Sequence, residues 1–159
     1  MNIDPKTALQ NTETLMLDMD GTLLDLAFDN YMWEELVPRR YAEANGMSFA
    51  EGRDYMLGRY AAIQGDLEWY CLDHWREQLG IDVLQLHHDV SHRIGYLPGA
   101  LDFLRSVHER NVRVLLVTNA HPTTLALKHA VTVSRPDSTA PLRRDLEFSD
   151  VEKVADLLL

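Results

Sequence analysis

Asp18 and Asp20 stand one residue apart at the end of a short apolar run, Thr14-Leu15-Met16-Leu17, and Gly21-Thr22 follows at once. The run has the length of a buried parallel strand. Aspartates at its carboxyl end would lie in the crevice where open α/β sheets bind ligands. On an extended chain Asp18 and Asp20 share one side, so two carboxylates meet at one point. Such a pair is costly unless a cation or a shared proton offsets the repulsion. Gly21 lets the backbone turn sharply, and Thr22 offers a hydroxyl at the turn.

Three further groups carry weaker chemistry. Thr118-Asn119 closes the other strongly apolar run, Val112 to Val117, and taken alone reads as a turn after a strand. Between the two runs lie aromatic and basic residues, among them Trp33, Arg39, Arg40, Tyr41, Arg53, Arg59, Trp69, Tyr70 and Trp75. Arg39, Tyr41, Arg53, Trp69 and Tyr70 are the candidates to read a substrate base. Helical spacing equally suits Trp33, Tyr41 and Trp75 to filling a core. His88 and His92 stand four apart, with His74 and His87 elsewhere, but no third ligand has a matching position and a helix surface explains them.

The elements that must hold these residues are legible in outline. The stretch between the strands is too long for a simple connection and reads as helical. Trp33, Leu36, Val37, Tyr41 and Ala44 recur at helical spacing before Gly46. Ser48 and Glu51 form a capping-box pattern. Leu67, Tyr70, Cys71, His74 and Trp75 make a third apolar face that ends near Gly80, and Asp82 opens a fourth with Leu86, Val90 and Ile94 inward. Four such helices suggest a small antiparallel bundle. Gly95-Tyr96-Leu97-Pro98-Gly99 reads as the return, and a helix from Pro98 to Arg110 then feeds the Val112 strand, the strand–helix–strand logic of a parallel sheet. The expected organisation is a Rossmann-like α/β core, incomplete, from 1–25 and 97–159, with a helical cap inserted at 26–96.

Composition narrows the classes. With 159 residues, one domain with a real core and an insert is affordable. A net charge of −10 argues against a nucleic-acid partner, which needs a basic face. It leaves room for a small phosphorylated substrate, since a bound cation reverses the local field. Cys71 is the single cysteine, so no intrachain disulfide forms and a reducing compartment fits. Residues 1–12 are polar, without an apolar signal region, and no segment approaches a membrane span. The expectation is a cytoplasmic chain with no membrane partner; its oligomeric state is open.

The pentapeptide Asp18-Met19-Asp20-Gly21-Thr22 resembles the first motif of the haloacid dehalogenase-like hydrolases, and Leu116-Val117-Thr118-Asn119 resembles their second. Leu97-Pro98-Gly99-Ala100-Leu101-Asp102-Phe103-Leu104 resembles the family's re-entry into its core. The resemblance implies that Asp18 is a nucleophile attacking phosphorus and that Asp20 is the acid and base. It implies Mg²⁺ held by Asp18 and Asp20, and phosphate bound by Thr22, Thr118 and Asn119. Leu67-Glu68-Trp69-Tyr70-Cys71-Leu72-Asp73-His74-Trp75, Leu36-Val37-Pro38-Arg39-Arg40-Tyr41-Ala42 and Thr118-Asn119-Ala120-His121-Pro122 look like the purine 5′-nucleotidases acting on GMP and IMP.

The pattern breaks in the last part of the chain. The family's lysine after a third strand and acidic pair after a fourth are not recognisable. Lys128 comes too early for the first role, and Lys153 follows Asp145 and Asp150, the wrong order for both. Residues 133–144 read as irregular and 149–158 as one short helix opened by Ser149, as a deletion or a shifted reading frame would leave them. The expected activity is an impaired Mg²⁺-dependent phosphomonoester hydrolase. The alternatives are a non-catalytic remnant that binds phosphate or a partner, and a phosphosugar phosphatase or mutase.

Overall fold

The computed structural model describes residues 12–133. The expected polar lead-in, the irregular stretch after 133 and the helix at 149–158 lie outside the described residues. Two compact units divide the rest, one of 12–25 with 96–118 and one of 26–95 with 119–133.

The first unit is a mixed α/β element built on a short parallel sheet. Strand β1 (Thr14–Leu17) pairs in parallel with β2 (Arg113–Leu116), in the register Thr14 with Arg113 through Leu17 with Leu116. Helix Ala100–Glu109 precedes β2. It begins after Gly99, whose φ of 83° is a left-handed conformation that a side chain would strain, so the helix starts two residues later than Pro98. The strands are shorter than expected. Leu15 and Leu17 are half-buried, but Met16 is 69% exposed, because among the described residues β1 has one neighbouring strand and one covered face.

The second unit is helical. Here α1 (Ala27–Tyr31) continues through a π-helical turn (Met32–Leu36) into α2 (Val37–Asn45). Pro38 explains the wide turn. It has no N–H to donate, and its ring would press on the carbonyl one turn back in a regular helix. Gly46, at φ 65°, ends α2, and the Met47 amide donates to the Ala42 carbonyl at 2.9 Å. Helix α3 (Phe49–Ile63) opens on the expected capping box: the Glu51 amide donates to Ser48 Oγ at 3.3 Å, and the Ser48 amide donates to Glu51 Oε2 at 2.9 Å. Helices α2 and α3 pack so closely at Gly52 that no side chain fits between them.

A 3₁₀ turn (Leu67–Tyr70) then precedes α4 (Leu72–Leu79), which Gly80 ends at φ 64°. The third apolar face is therefore broken into two elements, and Leu67 is exposed rather than inward. Asp82 Oδ1 accepts the Gln85 amide at 2.9 Å and caps α5 (Val83–Asp89), with a second 3₁₀ turn (Ser91–Arg93) after it. The core of the unit is aromatic. Trp75 is fully buried and meets Trp33, Tyr60 and Trp69 at ring-centroid distances of 5.7, 5.3 and 6.1 Å. Its Nε1 donates to the Trp69 carbonyl, and the Tyr60 hydroxyl donates to the Trp33 carbonyl, both at 2.9 Å. Helix α6 (Pro122–Val133), which follows β2 in the chain, belongs to this unit and packs on α5 and the Ser91–Arg93 turn.

Candidate active site

β1 stops at Leu17, so Asp18 is the first residue beyond the strand, and it is exposed. The chain then turns at once. The Met19 carbonyl accepts the amides of Leu23 and Leu24, both at 2.9 Å, and the Gly21 amide donates to the Leu24 carbonyl at 2.8 Å, with Gly21 at φ 76°. Met19, Leu23 and Leu24 are buried and anchor the turn, Leu24 bridging to Tyr96 and the Leu97 amide donating to the Leu23 carbonyl at 2.9 Å. This arrangement holds Asp20 half-buried, where it bridges to Leu24, and leaves Thr22 exposed. The pair thus lies on a tight turn rather than on one side of an extended strand.

Parallel pairing brings the second group alongside. The Val117 amide donates to the Leu17 carbonyl at 2.8 Å, which extends the ladder one step past β2. Thr118 follows, 8% exposed, so Asp18 and Thr118 leave neighbouring strands at the same, carboxyl, end of the sheet. Asn119 is exposed and begins the stretch that leads into α6. At that start, His121 Nδ1 accepts the Thr123 amide at 3.3 Å.

The oxygen donors of Asp18 and Asp20 suit a hard cation. Magnesium commonly takes one or two carboxylates, several waters and substrate phosphate, so the chemistry of the donor set fits it. Among the described residues, no group of three or more His, Cys, Asp or Glu is gathered to hold a metal, His88 and His92 included.

The five candidate base-reading residues are placed as follows. Arg39 pairs with Glu35 at 3.5 Å and lies 4.8 Å over the Phe49 ring. Tyr41 stacks on Tyr55, the rings 4.8 Å apart and 4° from parallel. Arg53 is exposed on α3. Trp69 packs edge-on against Tyr60 at 5.5 Å, within the aromatic core, and Tyr70 beside it is exposed. A cleft of the helical unit is lined by Arg40, Glu43, Ala44, Ile81, Asp82, Gln85 and Leu86, none of the five.

One polar constellation escaped the sequence reading. Lys128 on α6 is 2% exposed, and its Nζ donates to both carboxylate oxygens of Asp29 on α1 at 2.9 Å. Lys128 is therefore held by Asp29 within the helical unit. The signal that could have found it is the recurrence of Thr124, Lys128 and Thr132 at four-residue intervals in an otherwise apolar helix.

The chain resembles known proteins over most of this region. The family model for haloacid dehalogenase-like hydrolases matches residues 15–130. The GMP/IMP nucleotidase YrfG of Escherichia coli (strain K12) and that of Shigella flexneri are each 44% identical over 121 residues, 76% of this chain and 54% of theirs. The chain thus spans about half the length of the curated relatives it matches. In fold it is similar to the crystal structure of a HAD phosphatase from Thermococcus onnurineus, with a TM-score of 0.64 at 19% identity, over 76% of this chain and 56% of that one. With the family model covering most of the chain and the two strand ends carrying the matching motifs, the chain belongs to the haloacid dehalogenase-like hydrolases.

Proposed function

We propose that the chain carries the catalytic half-site of a phosphomonoester hydrolase acting on purine nucleoside 5′-monophosphates, GMP and IMP. The observation that supports this most is the exit of Asp18 and Thr118 from adjacent parallel strands, in a chain 44% identical to GMP/IMP nucleotidases.

In this reading an Asp18 carboxylate oxygen attacks phosphorus as the bond to the nucleoside oxygen breaks, and Asp20 delivers its proton to that leaving oxygen. A phospho-aspartyl group forms on Asp18. Asp20, now ionised, takes a proton from water, whose oxygen attacks the phosphorus and releases phosphate, with the electron pair returning to Asp18. The Thr118 hydroxyl holds the phosphoryl oxygens, with Thr22 and Asn119, the residue next to Thr118 in the chain, adding side-chain donors. Asp18 and Asp20 would hold Mg²⁺, whose charge would offset repulsion between the carboxylates and the substrate dianion.

Turnover is expected to be slow. Lys128 is engaged by Asp29. Loss of one group that stabilises transition-state charge costs ~10²–10³ in rate. The same observation favours, as the second reading, a remnant that binds phosphate without turnover. Phosphate release from GMP, IMP and sugar phosphates, with and without Mg²⁺, separates the two. Release from the purine nucleotides alone supports the first. Phosphate binding without release supports the second, and preference for sugar phosphates overturns the substrate assignment.

A further inference from the structure

His87 on α5 is 1% exposed, and its ring packs on Phe28 of α1 at 5.7 Å and on Trp33 at 5.9 Å. Its Nδ1 is 2.8 Å from the Val83 carbonyl. A carbonyl only accepts, so Nδ1 carries the hydrogen and the basic lone pair is on Nε2. A proton gained in acid therefore goes to Nε2.

The surroundings do not suit that charge. The Lys128 ammonium of α6 lies 5.4 Å from the centre of the same Phe28 ring. Among the described residues, the charged or titratable side chains that act on His87 are Lys128 and His121 of α6 and His88 of α5, all basic. Carboxylates on the surrounding elements are engaged elsewhere. Asp29 of α1 accepts from Lys128, Asp82 and Asp89 of α5 accept from Gln85, Asp73 of α4 pairs with Arg76, and Glu35 of the π-helical turn pairs with Arg39. Glu34 and Glu77 are exposed, His74 of α4 packs on Trp75, and the Ser91–Arg93 turn adds only the basic His92 and Arg93.

A buried charge with no facing counter-charge is either refused or drawn into water by a local opening. The connections decide which element yields. Helix α1 runs through the π-helical turn into α2, which α3 meets closely at Gly52. Helix α6 is held from the side, by α5, the Ser91–Arg93 turn and the Asp29 pair. Its buried stripe is polar, Thr124, Lys128 and Thr132, so its departure uncovers less apolar surface than parting the aromatic core would.

We propose that His87 is an acid-sensitive latch: protonation of its Nε2 releases α6 from the helical unit while α2 and α3 stay folded. The opening is local, and it is independent of any reaction the chain performs.

The test is hydrogen exchange on the full chain. Amide protection at each pH is taken relative to the intrinsic rate at that pH, so the pH dependence of exchange itself cancels. Wild type is compared with His87→Leu and with His87→Asn, which can still donate to the Val83 carbonyl but takes no proton. Between pH 7 and pH 5, protection of residues 125–132 falls about 20-fold in wild type, as expected when a group of pKa about 4 reverts to 6.5 on opening. Protection of residues 53–63 in α3 holds over the same window, which lies above the ordinary range of Asp and Glu. In both variants the fall in 125–132 disappears. Constant protection of 125–132 in wild type, an equal loss in 53–63, or a fall that persists in a folded variant overturns the latch. Where neither variant folds, the wild-type contrast between α6 and α3 decides.

Discussion

The Leu17 carbonyl accepts the Val117 amide at 2.8 Å, one step beyond the last residue of β2. This bond makes Asp18 and Thr118 neighbours although the whole helical insert separates them in sequence. A parallel ladder aligns the carboxyl ends of its strands, so residues just past each end converge.

Asp18→Asn tests the role of that strand end. Asp18 is exposed and lies beyond the strand, so its replacement should alter stability by no more than ~0.5 kcal/mol. Phosphate release from GMP should vanish while the thermal midpoint holds. Full turnover in the purified variant would remove the covalent mechanism.

Metal removal tests the donor set. Dialysis against a chelator should abolish phosphate release and weaken phosphate binding, and Mg²⁺ should restore both. Asp20→Asn should lose turnover yet keep part of the phosphate affinity, because Thr22 and Thr118 remain. Metal-independent release would show that Asp18 and Asp20 work without a cation.

Gly52→Ala should destabilise the helical unit, against the usual benefit of replacing a glycine inside a helix. A Cβ on Gly52 would lie 2.6 Å from the Ala42 Cβ and 2.9 Å from the Pro38 carbonyl oxygen, so helices α2 and α3 must part. The expected cost is about 1–3 kcal/mol, read from a denaturant midpoint. A neutral or stabilising outcome would contradict the close approach.

His87 should make stability depend on acid. Burial is the main reason its pKa falls from 6.5 to about 4, and the charges of Lys128, His88 and His121 act in the same direction, against the Val83 hydrogen bond. The folded chain then refuses a proton that the unfolded chain accepts. Stability is full above pH 6.5, declines as pH falls towards 4 and levels off below, a loss of ~3 kcal/mol at most. His87→Leu should flatten the unfolding midpoint over that window. An unchanged slope would assign it to other groups.

What the sequence by itself determined was local. Gly46 and Gly80 end their helices, Ser48 with Glu51 and Asp82 open theirs, and the two apolar runs become parallel strands, because each signal acts within a few residues of itself. The turn at Gly21 and Thr22 was legible for the same reason, although it takes in Asp18 and Asp20, which the strand pattern placed on an extended chain. Tertiary structure alone decided the rest. Trp69 lies in the aromatic core rather than with Arg53 and Tyr70, Leu67 faces outward, and α6 joins the helical unit. Lys128 meets Asp29 across 99 residues of sequence. No periodicity reports which distant carboxylate will meet a buried ammonium, or which helix will press on Gly52, since those energies arise only after separate segments have been brought together and water has been excluded between them.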